Sequence, residues 1–295
     1  MPLAATWSLA FICNYRCPYC FIPWNESKIG VQHAQVTAEN WLEFWERMYD
    51  AHGSFWIHVA GGEPFVYPGI VDLLARVSEH HSLSVSTNLS WKPDILYGRL
   101  PPGKVAFGLS FHPHFVDFER FLSSAVDLQK HGYTVTVAVV AYPPLFSRLE
   151  SYRLEFEVRD LAYNFLPYQG KIGEKNYPQD YTKDERDFLY LNTVQDRSTR
   201  DQQMRSKPTL GRLCAAGQMR FRADADGVIY RCAPSVKLGV GRMGHIQDPD
   251  FKLLEEPSPC PAEYCTCPEE YSYLLDLGLN KALVVGRRVR DSNSR

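Results

Sequence analysis

The chain has 295 residues, 45% of them hydrophobic and 13% aromatic, with a net charge of −2 and a pI near 6.5. That is ample material for a sizeable globular core, and the absence of a sustained basic face argues against a nucleic-acid partner. No stretch approaches eighteen apolar residues and the opening MPLAATWSLAFIC lacks a charged n-region before a long apolar run, so neither a membrane span nor a signal peptide is expected, and the location expected is cytoplasmic.

In chain order, ATWSLAF reads as a short strand, and Thr37 as the N-cap of a helix. Trp41, Phe44, Trp45 and Met48 give that helix one apolar face at i, i+3, i+4, i+7 spacing, and Gly53 closes it. SFWIHVA, the helical GIVDLLARVSEHH, the strand LSVST and a short helical segment near Asp94 follow. Then come KVAFGLSF, a helix carrying Phe118, Phe121, Leu122 and Ala125, the strand YTVTVAVVAY, a further helical stretch and LAYNFLP. Six strands alternating with helical segments predict an α/β fold with a parallel sheet buried on both faces, either open and doubly wound or a partial barrel.

After Pro167 the chain turns polar, with one helix expected behind a Thr182/Glu185 capping box. QMRFRADADGVIYRC reads as a β-hairpin around Asp226-Gly227, and GRRVRDSNSR as a mobile tail. The expected organisation is a core over 1–170, a polar connecting or lid segment over 171–212, a small cysteine-rich domain over 213–285 and a tail over 286–295.

The eight cysteines fall in two groups, Cys13/Cys17/Cys20 and Cys214/Cys232/Cys260/Cys265/Cys267. In a cytoplasmic chain this clustering points to metal ligation in preference to disulfides. Three thiols within eight residues nearly fill a metal site and leave one position open; a zinc site completed from the late group is the alternative. A distinctive short motif also follows each predicted strand: CNYRCPYC, then GGEP (Gly61, Gly62, Glu63, Pro64), Thr87-Asn88, SFHPH (Ser110 to His114), AYPP (Ala141 to Pro144) and PYQG (Pro167 to Gly170). The carboxyl edge of a parallel sheet is where α/β folds bind ligands, so these motifs predict one composite site.

CxxxCxxC with Tyr19 before the last cysteine, followed by GGEP, resembles the radical S-adenosylmethionine (radical SAM) enzymes over roughly residues 5 to 170. The resemblance implies a partial (β/α)6 TIM-like barrel. It implies a [4Fe–4S] cluster on Cys13, Cys17 and Cys20, with S-adenosyl-L-methionine on the fourth iron. Tyr19, Gly61, Gly62, Glu63, Pro64, Ser86, Asn88, Ser110 and His112 are the implied cofactor-binding positions. The family's chemistry is reductive cleavage of S-adenosylmethionine to a 5′-deoxyadenosyl radical that takes a hydrogen atom from the substrate. A flavodoxin- or ferredoxin-type electron donor is the implied partner.

The C-x12-G-x4-C spacing from Cys214 through Gly227 to Cys232, with CPAEYCTC after it, is similar to the opening of SPASM and twitch extensions. It implies one auxiliary [4Fe–4S] cluster drawn from Cys214, Cys232, Cys260, Cys265 and Cys267, or a small zinc site on the same residues. A fully ligated auxiliary cluster suits a net oxidation of a small molecule, with His112, His114, Tyr168 and Gln169 as substrate-facing candidates. A peptide-modifying maturase is the second reading, lowered because only twelve residues precede Cys13. A redox-neutral epimerase, cyclase or carbon–carbon bond-forming enzyme and a non-enzymatic zinc or iron–sulfur module complete the alternatives.

Overall fold

The computed structural model describes residues 3–20, 36–265 and 273–275. Six strands lie side by side in chain order and all parallel: β1 (Leu3–Ala10), β2 (Phe55–Gly61), β3 (Ser82–Thr87), β4 (Val105–Ser110), β5 (Thr134–Ala141) and β6 (Ala162–Pro167). Helices α1 (Ala38–His52), α2 (Ile70–His80), α3 (Phe118–Lys130) and α4 (Leu149–Val158) connect them, with 3₁₀ turns at Pro93–Leu96 and Pro143–Arg148. This is the α/β sheet of a partial TIM-like barrel.

Alternation along each strand divides the sheet into two faces. Ala5, Trp7 and Leu9 of β1 belong to the main apolar core together with Ile57 and Val59 of β2. Trp7 meets Trp41 and Trp45 of α1 at ring separations of 5.2 and 5.5 Å. Helix α1 starts where the sequence places it, because the Thr37 hydroxyl accepts from the Asn40 N–H while the Asn40 side chain takes the Thr37 N–H. His81 locks the same layer: the Phe55 N–H donates to Nδ1 at 3.0 Å and Nε2–H donates to the Trp45 carbonyl at 3.1 Å. Truncating a buried indole such as Trp45 removes contacts worth about 3–5 kcal/mol.

The other face is small and polar. Thr6, His58, Ser84 and Ala106 are in-register neighbours across β1 to β4, and Ser86, Gly108, Thr136 and Ala162 form a second row. Ser110, Ala138 and Asn164 form a third row, nearer the carboxyl ends. Such side chains fill little volume, and the inner face is consequently the one available to ligands.

Beyond β6 the chain forms a hairpin, β7 (Gly170–Ile172) with β8 (Lys175–Tyr177), absent from the sequence expectation. Helix α5 (Lys183–Leu191) follows with the expected Thr182/Glu185 box. A second helix, α6 (Arg197–Gln203), was also unforeseen, since RSTRDQQ has no apolar periodicity. Strand β9 (Leu213–Cys214) then leads to β10 (Arg220–Ala223) and β11 (Val228–Tyr230), the hairpin expected around Gly227. β10 docks parallel on the outer edge of β1, and β12 (Arg242–His245) extends the sheet to nine strands in the order β12-β11-β10-β1-β2-β3-β4-β5-β6. Helix α7 (Ala233–Leu238) and β13 (Ser258–Pro259), paired with β9, complete the described elements. The expected tail lies outside the described residues.

Candidate active site

The cysteine loop leaves β1 at Ala10 and is fitted to the end of β2 by backbone hydrogen bonds. Gly62 N–H donates to the Ala10 carbonyl at 2.7 Å and Glu63 N–H to the Ile12 carbonyl at 2.8 Å. A β-carbon on Gly61 would stand 2.1 Å from the Ala10 oxygen, and one on Gly62 2.1 Å from the Ile12 oxygen. The paired glycines are thus a fitting surface for the loop. Within the loop, the Cys20 N–H turns back to the Cys17 carbonyl at 3.1 Å, and the Tyr15 N–H donates to Cys13 Sγ at 3.3 Å. Arg16 Nη1 donates to the Cys13 carbonyl at 2.6 Å.

Glu63 is 1% exposed. Its Oε1 accepts from the Thr87 hydroxyl at 2.7 Å and the Phe65 N–H at 3.1 Å, and its Oε2 accepts from the Asn88 N–H at 2.6 Å. Burial nevertheless pushes its carboxyl up to about 6, against the three donors. Glu63 therefore joins the ends of β2 and β3. Pro64 begins the 3₁₀ turn that Glu63 caps. Asn88, also buried, donates to Asn14 Oδ1 at 2.8 Å and to Cys13 Sγ at 3.9 Å, tying β3 to the cysteine loop.

Tyr19 and His112 face each other, with the Tyr19 hydroxyl 3.2 Å from His112 Nδ1 and the rings stacked at 5.7 Å. Burial, then the neighbouring His114, pushes His112 down to about 4, so the imidazole is neutral at ordinary pH. Tyr142 meets Tyr19 at 5.2 Å and Tyr168 at 5.3 Å, extending this aromatic wall across β4 to β6. His114 is exposed at its rim, 6.0 Å from Tyr19. Ser86 Oγ lies 3.1 Å from His58 Nε2 inside the sheet, and Ser110 is half-buried at the end of β4. Tyr168 N–H donates to the Tyr181 hydroxyl at 3.0 Å, while Gln169 Nε2 donates to the Gln203 carbonyl at 2.6 Å and so reaches α6.

Cys214, Cys232, Cys260 and Cys265 are all buried and belong to one compact group with Ala4, Ala215, Ala216, Ala262, Tyr273 and Leu274. Ala216 N–H donates to Cys214 Sγ at 3.4 Å, and Ser235 Oγ lies 3.1 Å from Cys232 Sγ. Cys260 Sγ lies 3.6 Å from Thr209 Oγ1. Cys267 falls outside the described residues. Ala4 places this group at the amino end of β1, about 20 Å of strand from Ala10, counted at about 3.3 Å per residue.

The donor chemistry fits iron–sulfur clusters in both places, with soft thiols supplied and no histidine or carboxylate among them. Burial and the other two thiols push Cys17 up to about 12, the behaviour of sulfurs turned toward a common space. Among the described residues no three Cys, His, Asp or Glu side chains converge closely enough to hold a single ion. A cluster takes its thiolates at the corners of a larger polyhedron.

Residues 7–97 match the Radical SAM superfamily. The match covers about a third of the chain. A match to that superfamily implies a [4Fe–4S] cluster and S-adenosylmethionine, and the matched residues include the cysteine loop. The chain is 24% identical to the antilisterial bacteriocin subtilosin biosynthesis protein AlbA of Bacillus subtilis over 208 residues, 64% of this chain and 45% of AlbA. It thus spans less than half of that relative. A GTP 3′,8-cyclase of a Nostoc species is 31% identical over 84 residues, 28% of this chain and 26% of the cyclase. Among solved structures, anSMEcpe with bound AdoMet superposes with a TM-score of 0.62 at 21% identity, covering 84% of this chain and 78% of that one. The same protein with AdoMet and the Cp18Cys peptide gives 0.61 at 21% identity, with the same coverage.

The structure brings Cys13, Cys17, Cys20, Glu63, Asn88, Tyr19 and His112 to one edge. It also shows residues that sequence reasoning passed over. His58, Thr6 and Ser84 sit within strands, where a polar residue on alternate positions reads simply as the solvent face. A polar residue at every inward position of a strand flanked on both sides is the signal that would have found them.

Proposed function

We propose that this radical SAM enzyme oxidises a peptide substrate, with the late cysteines holding an auxiliary [4Fe–4S] cluster. What carries the proposal is the gathering of Cys214, Cys232, Cys260 and Cys265 around Ala4, on the same strand that delivers Cys13. When bound, the cofactors supply a 5′-deoxyadenosyl radical at the carboxyl edge and a one-electron acceptor at the amino end. The chain's own contribution is position and exclusion of water. Gly61 and Gly62 fit the cysteine loop to β2, Asn88 steadies Cys13, and the aromatic wall of Tyr19, Tyr142 and Tyr168 closes one side. His112, neutral beside Tyr19, is able to accept a proton when the substrate gives one up.

A peptide is favoured over the small molecule of the sequence expectation by the extent of the likenesses. Similarity to the nucleotide cyclase extends over only 84 residues, 28% of the chain. Similarity to AlbA runs over 208 residues, and the peptide-bound neighbour covers 84% of the chain. No helix among the described residues is long and apolar enough to cross a membrane.

The test is anaerobic reconstitution with iron and sulfide, reduction with dithionite, and quantification of 5′-deoxyadenosine with and without candidate peptides. The wild type should produce it and Cys17→Ala should not, and a true substrate should lose two hydrogens. Consumption of a peptide with no change in mass would replace oxidation by epimerisation. Zinc in place of iron after reconstitution would overturn the reading.

A further inference from the structure

Helix α6 buries polar side chains where a helix normally buries apolar ones. Arg200 is 0%, Gln202 1% and Gln203 4% exposed. The Arg200 guanidinium makes one hydrogen bond, from Nη2 to Asn164 Oδ1 at 2.8 Å, and Nε and Nη1 have no partner. Neither amide atom of Gln202 has one, nor do Gln203 Oε1 and Gln169 Oε1. Among the described residues no carboxylate pairs with Arg200; the adjacent Asp201 is taken by the Tyr190 hydroxyl at 2.8 Å and Lys207 at 3.8 Å. A buried cation with no counter-charge, surrounded by unpaired amides, is costly enough that folds retain it only for a purpose.

Its position in the sheet is specific. Asn164 is the in-register neighbour of Ala138, and Ala138 of Ser110, so the guanidinium stands on the ligand-facing side of the sheet near its carboxyl edge. It lies at the β6 side, whereas the cysteine loop and its supports Glu63 and Asn88 belong to β1, β2 and β3. The geometry points to Arg200, with Gln202 and Gln203, as a subsite for a carboxylate of the substrate. The guanidinium fork matches a carboxylate through two parallel N–H donors, and the glutamine amides pair with the peptide groups beside it. Helix α6 is held to β6 by the Arg200–Asn164 hydrogen bond and to the segment just after β6 by the Gln169–Gln203 hydrogen bond. The inference deepens the peptide reading above and rests on it.

The experiment uses the reconstituted 295-residue chain with S-adenosylmethionine and follows thermal unfolding. The probes are millimolar N-acetyl-glycylglycine as free acid and as amide. The acid should raise the melting temperature by about 2–4 °C and the amide should not. Arg200→Met should abolish the acid-dependent rise while melting no lower than wild type without probe. Gln202→Leu, which keeps the charge, should reduce the rise and serves where Arg200→Met does not fold. Equal shifts from acid and amide, no shift from the acid, or a shift surviving in Arg200→Met would overturn the assignment. So would an Arg200→Met protein that binds the acid normally but has lost the effect of S-adenosylmethionine on the spectrum of its reduced cluster, because the guanidinium would then serve the cofactor. Failure of the peptide reading shows separately, as peptides left unmodified while the acid-dependent shift persists.

Discussion

The α-carbon of Gly62 lies so close to the Ile12 carbonyl that a β-carbon there would stand 2.1 Å from its oxygen. Gly62→Ala must therefore push the cysteine loop away from β2. The expected cost is about 1–3 kcal/mol of stability, together with a loss of iron after reconstitution. Gly103→Ala, which meets nothing within 4 Å, is the control and should change neither. Normal iron loading in Gly62→Ala would mean the loop does not depend on this fit.

Asn88 touches the loop from the other side. Asn88→Ala removes the donors to Asn14 Oδ1 and Cys13 Sγ. Hydrogen bonds to cluster sulfurs raise the reduction potential, so the variant should hold its cluster at a more negative potential and give an altered spectrum in the reduced state. Redox titration followed by electron paramagnetic resonance checks this. An unchanged potential would reduce Asn88 to a purely mechanical role.

Two histidines make the fold acid-sensitive. His112 is pushed down to about 4, and burial lowers His81 as well. The unfolded chain takes these protons near pH 6.5 while the fold refuses them. Stability is thus complete above that pH and declines as pH falls from 6.5 toward 4, by about 1.4 kcal/mol per pH unit for His112, with His81 acting in the same direction. His112→Gln should flatten the decline by roughly one proton's worth in denaturant titrations at stepped pH. A parallel decline in variant and wild type would remove His112 from the account.

The late thiols should behave as a unit separable from the first. Cys232→Ala should lower reconstituted iron by about four atoms per chain while still cleaving S-adenosylmethionine. It should fail to complete substrate oxidation. Iron content equal to wild type would exclude Cys232 as a ligand.

Much of this was legible from the residues, for physical reasons. Strands buried on both sides read as short apolar runs, and the motifs behind them mark the carboxyl edge, so Cys13, Gly61, Asn88 and His112 could be brought together in advance. The β7–β8 hairpin was hidden because three-residue strands such as Lys175–Tyr177 are too short to show alternation. Helix α6 was hidden because its buried side is polar, contrary to the pattern by which helices are found. The pairing of β10 with β1 joins residues more than two hundred apart, and nothing local in either segment announces it.

That last pairing has a consequence for the order of events at synthesis. β1 is made more than two hundred residues before Arg220–Ala223, and its outer edge remains an open row of backbone donors and acceptors until that strand emerges. Unpaired edges recruit other chains, and contacts of such separation form late. The cysteine-rich segment thus acts as a cover for the barrel's oldest strand. A chain cut before β10 would keep only Cys214 of its second set of thiols and leave the barrel's own edge prone to aggregation. The two cysteine groups are joined by folding as well as by chemistry.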